Sequence, residues 1–105
     1  MIANNPVRSP SLNDLIARLQ AAKPELAARY GVRSLGLFGS HVRGEAGAGS
    51  DLDVLVEFAT QPSLFQFVRL KNELSELLGL PVDLVIRSAL KPVIGKTTLQ
   101  EVIVV

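Results

Sequence analysis

Ser50-Asp51-Leu52-Asp53-Val54-Leu55-Val56-Glu57-Phe58 is the stretch on which the fold turns. Leu52, Val54, Val56 and Phe58 alternate with Asp51, Asp53, Leu55 and Glu57, the period of a half-buried β-strand. The two aspartates are two residues apart, so both carboxylates leave the same face. A third carboxylate, Asp83, sits between Val82 and Leu84 in residues 81–86, which read as another strand. If the two strands are neighbours in register, three carboxylates meet on one face of a sheet. Like charges brought together in low dielectric are costly unless a cation neutralises them. A hard divalent cation suits such oxygen ligands, and Mg²⁺ typically takes one or two carboxylates together with substrate phosphates. An isolated Asp-x-Asp is more often an exposed strand face with solvated carboxylates, so the weight falls on what lies upstream.

Upstream stands Leu37-Phe38-Gly39-Ser40. Residues 32–38 read as a short strand that ends in glycine and serine, and a helical turn fits residues 41–44. A strand that opens into such a turn directs backbone N–H groups at an anion. Gly39 allows a phosphate to approach, the Ser40 hydroxyl adds a donor, and Arg43 is a cation within reach of a phosphate or a carboxylate. Residues 39–50 hold four glycines and read as a turn followed by a loop.

Around this centre the chain alternates helix and strand. Ser11 is a fair N-cap, and Leu12, Leu15, Ile16 and Leu19 predict an amphipathic helix over residues 12–22. Pro24 suits the first turn of a separate short helix over 24–30, ended by Gly31. Ser63 caps a helix reaching Leu78, with Leu64, Phe67, Val68, Leu70, Leu74, Leu77 and Leu78 on its apolar face. After Ser88 the pattern weakens, and a final helix starting near Thr97 or Thr98 and covering 99–105 is expected. Residues 1–10 read as a loose lead-in and 11–105 as one domain. The order of elements gives an α+β (α/β-like) fold, a small mixed sheet with flanking helices.

Composition removes several classes of function. The chain has 105 residues, 48% of them hydrophobic and 20% charged, as in a globular domain. Eleven basic and ten acidic side chains leave a net charge of +1, too little basic excess for a nonspecific nucleic-acid binder. Six basic and three acidic residues fall in 1–50, against five basic and seven acidic in 51–105, so negative charge gathers in the half that holds the three aspartates. With no cysteine and one histidine, His41, there is no disulfide framework, thiolate zinc site or histidine ligand cluster. No apolar run is long enough to span a bilayer, and the first residues lack the pattern of a secretory signal, so the cytoplasm is the expected compartment. Gly95-Lys96-Thr97 ends like a phosphate-binding P-loop, but Leu90 stands where the motif needs its first glycine.

Taken together, Phe38-Gly39-Ser40-His41-Val42-Arg43-Gly44-Glu45, then residues 50–58, then Pro81-Val82-Asp83-Leu84-Val85 resemble the minimal nucleotidyltransferase family of the DNA polymerase β superfamily. The resemblance runs from about Leu12 to Val105. His41 stands where a tyrosine, a phenylalanine or another variable residue is expected, and Gly95 interrupts the helical ending typical of the family.

The resemblance implies a polymerase-β-type nucleotidyltransferase fold with ATP as substrate. The triphosphate would lie at Gly39 and Ser40, with Arg43 and Ser50 also binding nucleotide. Mg²⁺ would be held by Asp51 and Asp53, with Asp83 completing the metal site or acting as general base. Larger members carry a second domain for the acceptor, for which 105 residues leave no room. The resemblance therefore implies an antitoxin that transfers AMP to a tyrosine of a partner toxin of the HEPN ribonuclease class. An idle antitoxin that masks its partner is the alternative, and a small-molecule nucleotidyltransferase resembling those that inactivate aminoglycosides is a third reading.

Overall fold

A computed structural model of the chain describes residues 11–45, 51–89 and 101–105. Helix α1 spans Leu12–Tyr30, strand β1 Val32–Phe38, the short helix α2 Ser40–Arg43, strand β2 Leu52–Phe58, helix α3 Leu64–Leu78, strand β3 Val82–Ile86 and strand β4 Ile103–Val104. A 3₁₀ turn over Arg87–Ala89 follows β3. The four strands form one sheet in the order β3-β2-β1-β4. β2 pairs antiparallel with β1 and parallel with β3, and β4 pairs antiparallel with β1. The expected small mixed sheet with flanking helices is therefore present.

The helices cover one face of this sheet. Leu15, Leu19, Leu26 and Tyr30 of α1 and Leu70, Leu74 and Leu78 of α3 join Leu35, Leu37, Val54, Val56, Val82 and Leu84 in one buried cluster. Ser11 and Ser63 cap the helices as their sequences predict. Each accepts a hydrogen bond from the N–H three residues on, at 3.2 Å, and Asp14 and Gln66 complete the two capping boxes.

Two sequence expectations are corrected. The helices read at 12–22 and 24–30 are one helix with Pro24 inside it. Leu15, Leu19, Leu26 and Tyr30 keep a single helical phase across the proline, so packing on the sheet holds both halves in line. Proline removes one main-chain donor, which leaves the Gln20 carbonyl without its usual partner. Gln20 and Pro24 are both exposed, so water can take that bond.

The helix expected over 99–105 is likewise absent at its end, where Ile103 and Val104 form a strand against Leu37 and Gly36. The β-branched run Val102-Ile103-Val104-Val105 favours extended backbone. Gly36 makes the pairing possible, because a Cβ there would collide with the Val102 side chain. The helix start proposed near Thr97 or Thr98 lies outside the described residues, as do the lead-in over 1–10 and the 95–97 segment.

Candidate active site

Strand register brings the site together. On the sheet face away from the helices, Phe38 of β1 lies opposite Asp53 of β2, and Asp53 lies opposite Asp83 of β3. The Leu52 N–H donates to the Pro81 carbonyl at 2.9 Å, which locks the start of β2 to the start of β3. The paired carboxylates follow from that alignment. Asp53 is half-buried and Asp83 is exposed on the edge strand.

β1 runs directly into the phosphate-turn candidate. Gly39 has φ 83° and ψ −156°, a backbone region that is essentially glycine's own. A Cβ at this position would collide with the Asp53 carboxylate. The Gly39 backbone therefore lies against Asp53, and the sequence signals at 39–40 and 51–53 converge in space. The Val42 and Arg43 N–H groups both donate to the Gly39 carbonyl at 3.1 Å, and the Glu45 N–H donates to Ser40 at 2.9 Å, which closes the turn.

The Asp53 carboxyl is held above the usual carboxylate range. Burial is the main cause, followed by the negative charge of Asp83, a side-chain hydrogen bond with it, and the charge of Asp51; His41 acts in the opposite direction. Two facing carboxylates that resist joint ionisation form an all-oxygen donor set that a hard divalent cation would relieve, so the residues fit Mg²⁺. Asp51 lies just before β2, exposed, and its charge reaches Asp53. Among the described residues, no group of three acidic or histidine side chains stands at metal-holding spacing. The structure thus brings Asp53 and Asp83 face to face, with Asp51 just before the start of β2.

The remaining predicted residues divide. Ser40 opens α2 beside Gly39. Arg43 makes ion pairs with Glu45 at 2.8 Å and with Glu101 at 3.1 Å. Ser50 lies outside the described residues. The sequence reading missed Glu101, since a pair separated by 58 positions leaves no local signal. It also gave His41 no role, although its charge reaches Asp53 and its position two residues after Gly39 offered a hint. A cleft of about 550 Å³ lined by Glu57, Phe58, Pro62, Ile86 and Arg87 opens at the other end of β2 and β3, away from these carboxylates.

This geometry has known counterparts. Residues 19–105 match the nucleotidyltransferase domain family. The protein adenylyltransferase MntA of Thermococcus cleftensis is 52% identical over 95 residues, which cover 90% of this chain and 96% of that protein. A solved structure of a candidate minimal nucleotidyltransferase is 40% identical with a TM-score of 0.77, covering 92% of this chain and 98% of the other. The chain belongs to the minimal nucleotidyltransferase family. As a minimal nucleotidyltransferase it shares its fold with the complex of a tri-AMPylated HEPN toxin from Shewanella oneidensis with an MNT antitoxin. That match has a TM-score of 0.56 at 22% identity and covers 88% of this chain and 66% of the other. No helix among the described residues of this minimal nucleotidyltransferase is long and apolar enough to cross a membrane.

Proposed function

We propose that this protein is a Mg²⁺-dependent adenylyltransferase of the cytoplasm that transfers AMP from ATP to a tyrosine hydroxyl of a HEPN-type toxin and so acts as its antitoxin. The observation that carries this reading is the Asp53–Asp83 pair set against the Gly39 backbone. The relatives' named activity and the AMPylated toxin bound to a structural neighbour support the choice of AMP and of a protein acceptor.

The parts divide the work as follows. Gly39 and Ser40 receive the phosphates, with Arg43 and Ser50 as further contacts. Asp51, Asp53 and Asp83 are the residues that would hold Mg²⁺, which supplies neutralisation of the charge developing on the transferring group. Asp83, exposed on the edge strand, accepts the proton of the attacking hydroxyl. The hydroxyl oxygen bonds to the α-phosphorus and pyrophosphate departs. In-line attack needs the hydroxyl held within about 3–3.5 Å of phosphorus. The described residues offer one wall of that cleft, so the partner chain brings both the acceptor and the second wall.

The test is the intact mass of the cognate HEPN-type partner after incubation with this protein, ATP and Mg²⁺. A gain of one or more AMP units is expected, and none with Asp83→Asn. The alternative is an idle antitoxin that neutralises its partner by masking. An unchanged mass together with neutralisation that survives Asp83→Asn would select that reading.

A further inference from the structure

We propose that Glu101 is a positioning residue of the nucleotide site and that it acts through Arg43. The inference rests on the reading above, in which Gly39 and Ser40 receive the triphosphate.

α2 has four residues and no side-chain cap, so its own hydrogen bonds hold it weakly. Tertiary contacts to the rest of the fold add to those bonds, and the two described by side chain are these. One is apolar, Val42 packed against the core cluster. The other is the Arg43 guanidinium. Its Nε donates to Glu45 at 2.8 Å, and its Nη1 reaches both carboxylate oxygens of Glu101 at 3.2 and 3.1 Å. Glu45 follows α2 immediately and moves with it, so among the described residues it is Glu101 that ties Arg43 to another part of the fold.

Glu101 is itself fixed from the far side. Two residues on, Ile103 and Val104 pair with Leu37 and Gly36. Val105 donates its N–H to Leu35 at 3.0 Å, and its carbonyl accepts from Lys23 Nζ at 2.8 Å. The connections close a ring: β1 leads through Gly39 into α2, α2 holds Glu101 through Arg43, and β4 returns to β1. The Gly39–Ser40 turn is the free corner of that ring, and it lies against Asp53. Closing the ring fixes the angle at which the turn presents itself to a phosphate. Misplacement of a binding group by about 1 Å is enough to lose up to 10²-fold in rate. The Arg43–Glu101 pair is partly exposed, so its share of global stability is small.

The experiment measures equilibrium binding of ATP with Mg²⁺ by calorimetry on the whole chain, beside thermal unfolding. Glu101→Ala is expected to weaken ATP binding by about 10-fold while moving Tm by no more than a few degrees. Glu101→Gln keeps an acceptor for the guanidinium and should retain most of the binding. In an Arg43→Ala background, Glu101→Ala should change affinity less than about 2-fold, because the partner it acts through is gone. Unchanged or tighter binding by Glu101→Ala overturns the proposal. So does a Gln variant as weak as the Ala variant, or an equal loss in the Arg43→Ala background. A wild-type chain that binds no ATP overturns the nucleotide reading itself, and the proposal with it.

Discussion

Asp53→Asn should stabilise the metal-free protein. Asp53 and Asp83 are direct cross-strand partners, and burial and the charge of Asp83 together raise the Asp53 proton affinity. Like charges placed directly opposite in a sheet cost about 0.2–1 kcal/mol. Asparagine has nearly the same shape, removes the charge and can still donate a hydrogen bond to Asp83. The expected gain at pH 7 in EDTA is therefore about 0.5–1 kcal/mol, or a rise in Tm of roughly 2–8 °C for a domain of this size.

The pH dependence has a definite sign. A carboxyl whose pKa is raised by folding binds its proton more tightly in the native state, so its contribution to stability declines as pH rises from the unfolded value through the folded one. The advantage of Asp53→Asn is thus full above the raised folded pKa, fades as pH falls from there, and is gone once pH is well below about 4, where wild-type Asp53 is protonated in both states. Mg²⁺ and ATP should invert the ranking, since binding at 100 times Kd stabilises wild type by about 2.7 kcal/mol and the variant loses the ligand. Thermal unfolding in EDTA at pH 7 and pH 3.5, then with Mg²⁺ and ATP, reads all three. An Asn variant less stable than wild type at pH 7 in EDTA, or a gain undiminished in acid, would refute the charge argument.

Two further outcomes follow from the backbone. Gly39→Ala should cost about 1–3 kcal/mol, because it places a Cβ in a glycine-only region against Asp53; urea unfolding measures it, and no change in midpoint would mean that the turn does not press on the carboxylate. Pro24→Ala should raise the urea midpoint, since an interior proline costs a helix about 3 kcal/mol and proline's stiffening of the unfolded chain returns only about 1; a midpoint that falls instead would show α1 to be two helices.

What was legible in the sequence was local. Alternation over 52–58 and 82–86 located two strands and set the aspartates on the correct face, and Ser11 and Ser63 marked two helix starts correctly. Pro24 misled because its local penalty is read at a single residue, whereas the apolar phase that overrides it is spread from Leu15 to Tyr30. β4 was hidden for another reason. The β-branched run at 102–105 favours extended backbone but names no partner strand, and the pairing is decided 66 positions before Val102, at Gly36, where a missing side chain admits Val102. Arg43 stood out in the sequence as a cation beside the Gly39–Ser40 turn, but the placing of its Nη1 between the two Glu101 carboxylate oxygens is a tertiary fact with no trace along the chain.

The site exists because of the way the three strands are connected. β2 and β3 are parallel, so a crossover must join them, and α3 provides it on the core side of the sheet. Parallel strands start at the same end, which places Asp53 and Asp83, each the second residue of its strand, side by side. β1 is antiparallel to β2, so its last residue, Phe38, reaches that same end and delivers Gly39 to Asp53. Two opposite strand directions are thus needed, one to align the carboxylates and the other to turn the Gly39–Ser40 loop toward them. The helices, both packed on the other face, leave this end of the sheet available to a substrate. A one-residue slip of β3 would turn Asp83 into the leucine-rich core and Val82 or Leu84 out beside Asp53. Burial of Val82 and Leu84 in the helix-covered core therefore sets the register of the carboxylates as well as the stability, and hydrophobic packing on one face of the sheet positions Asp53 and Asp83 on the other.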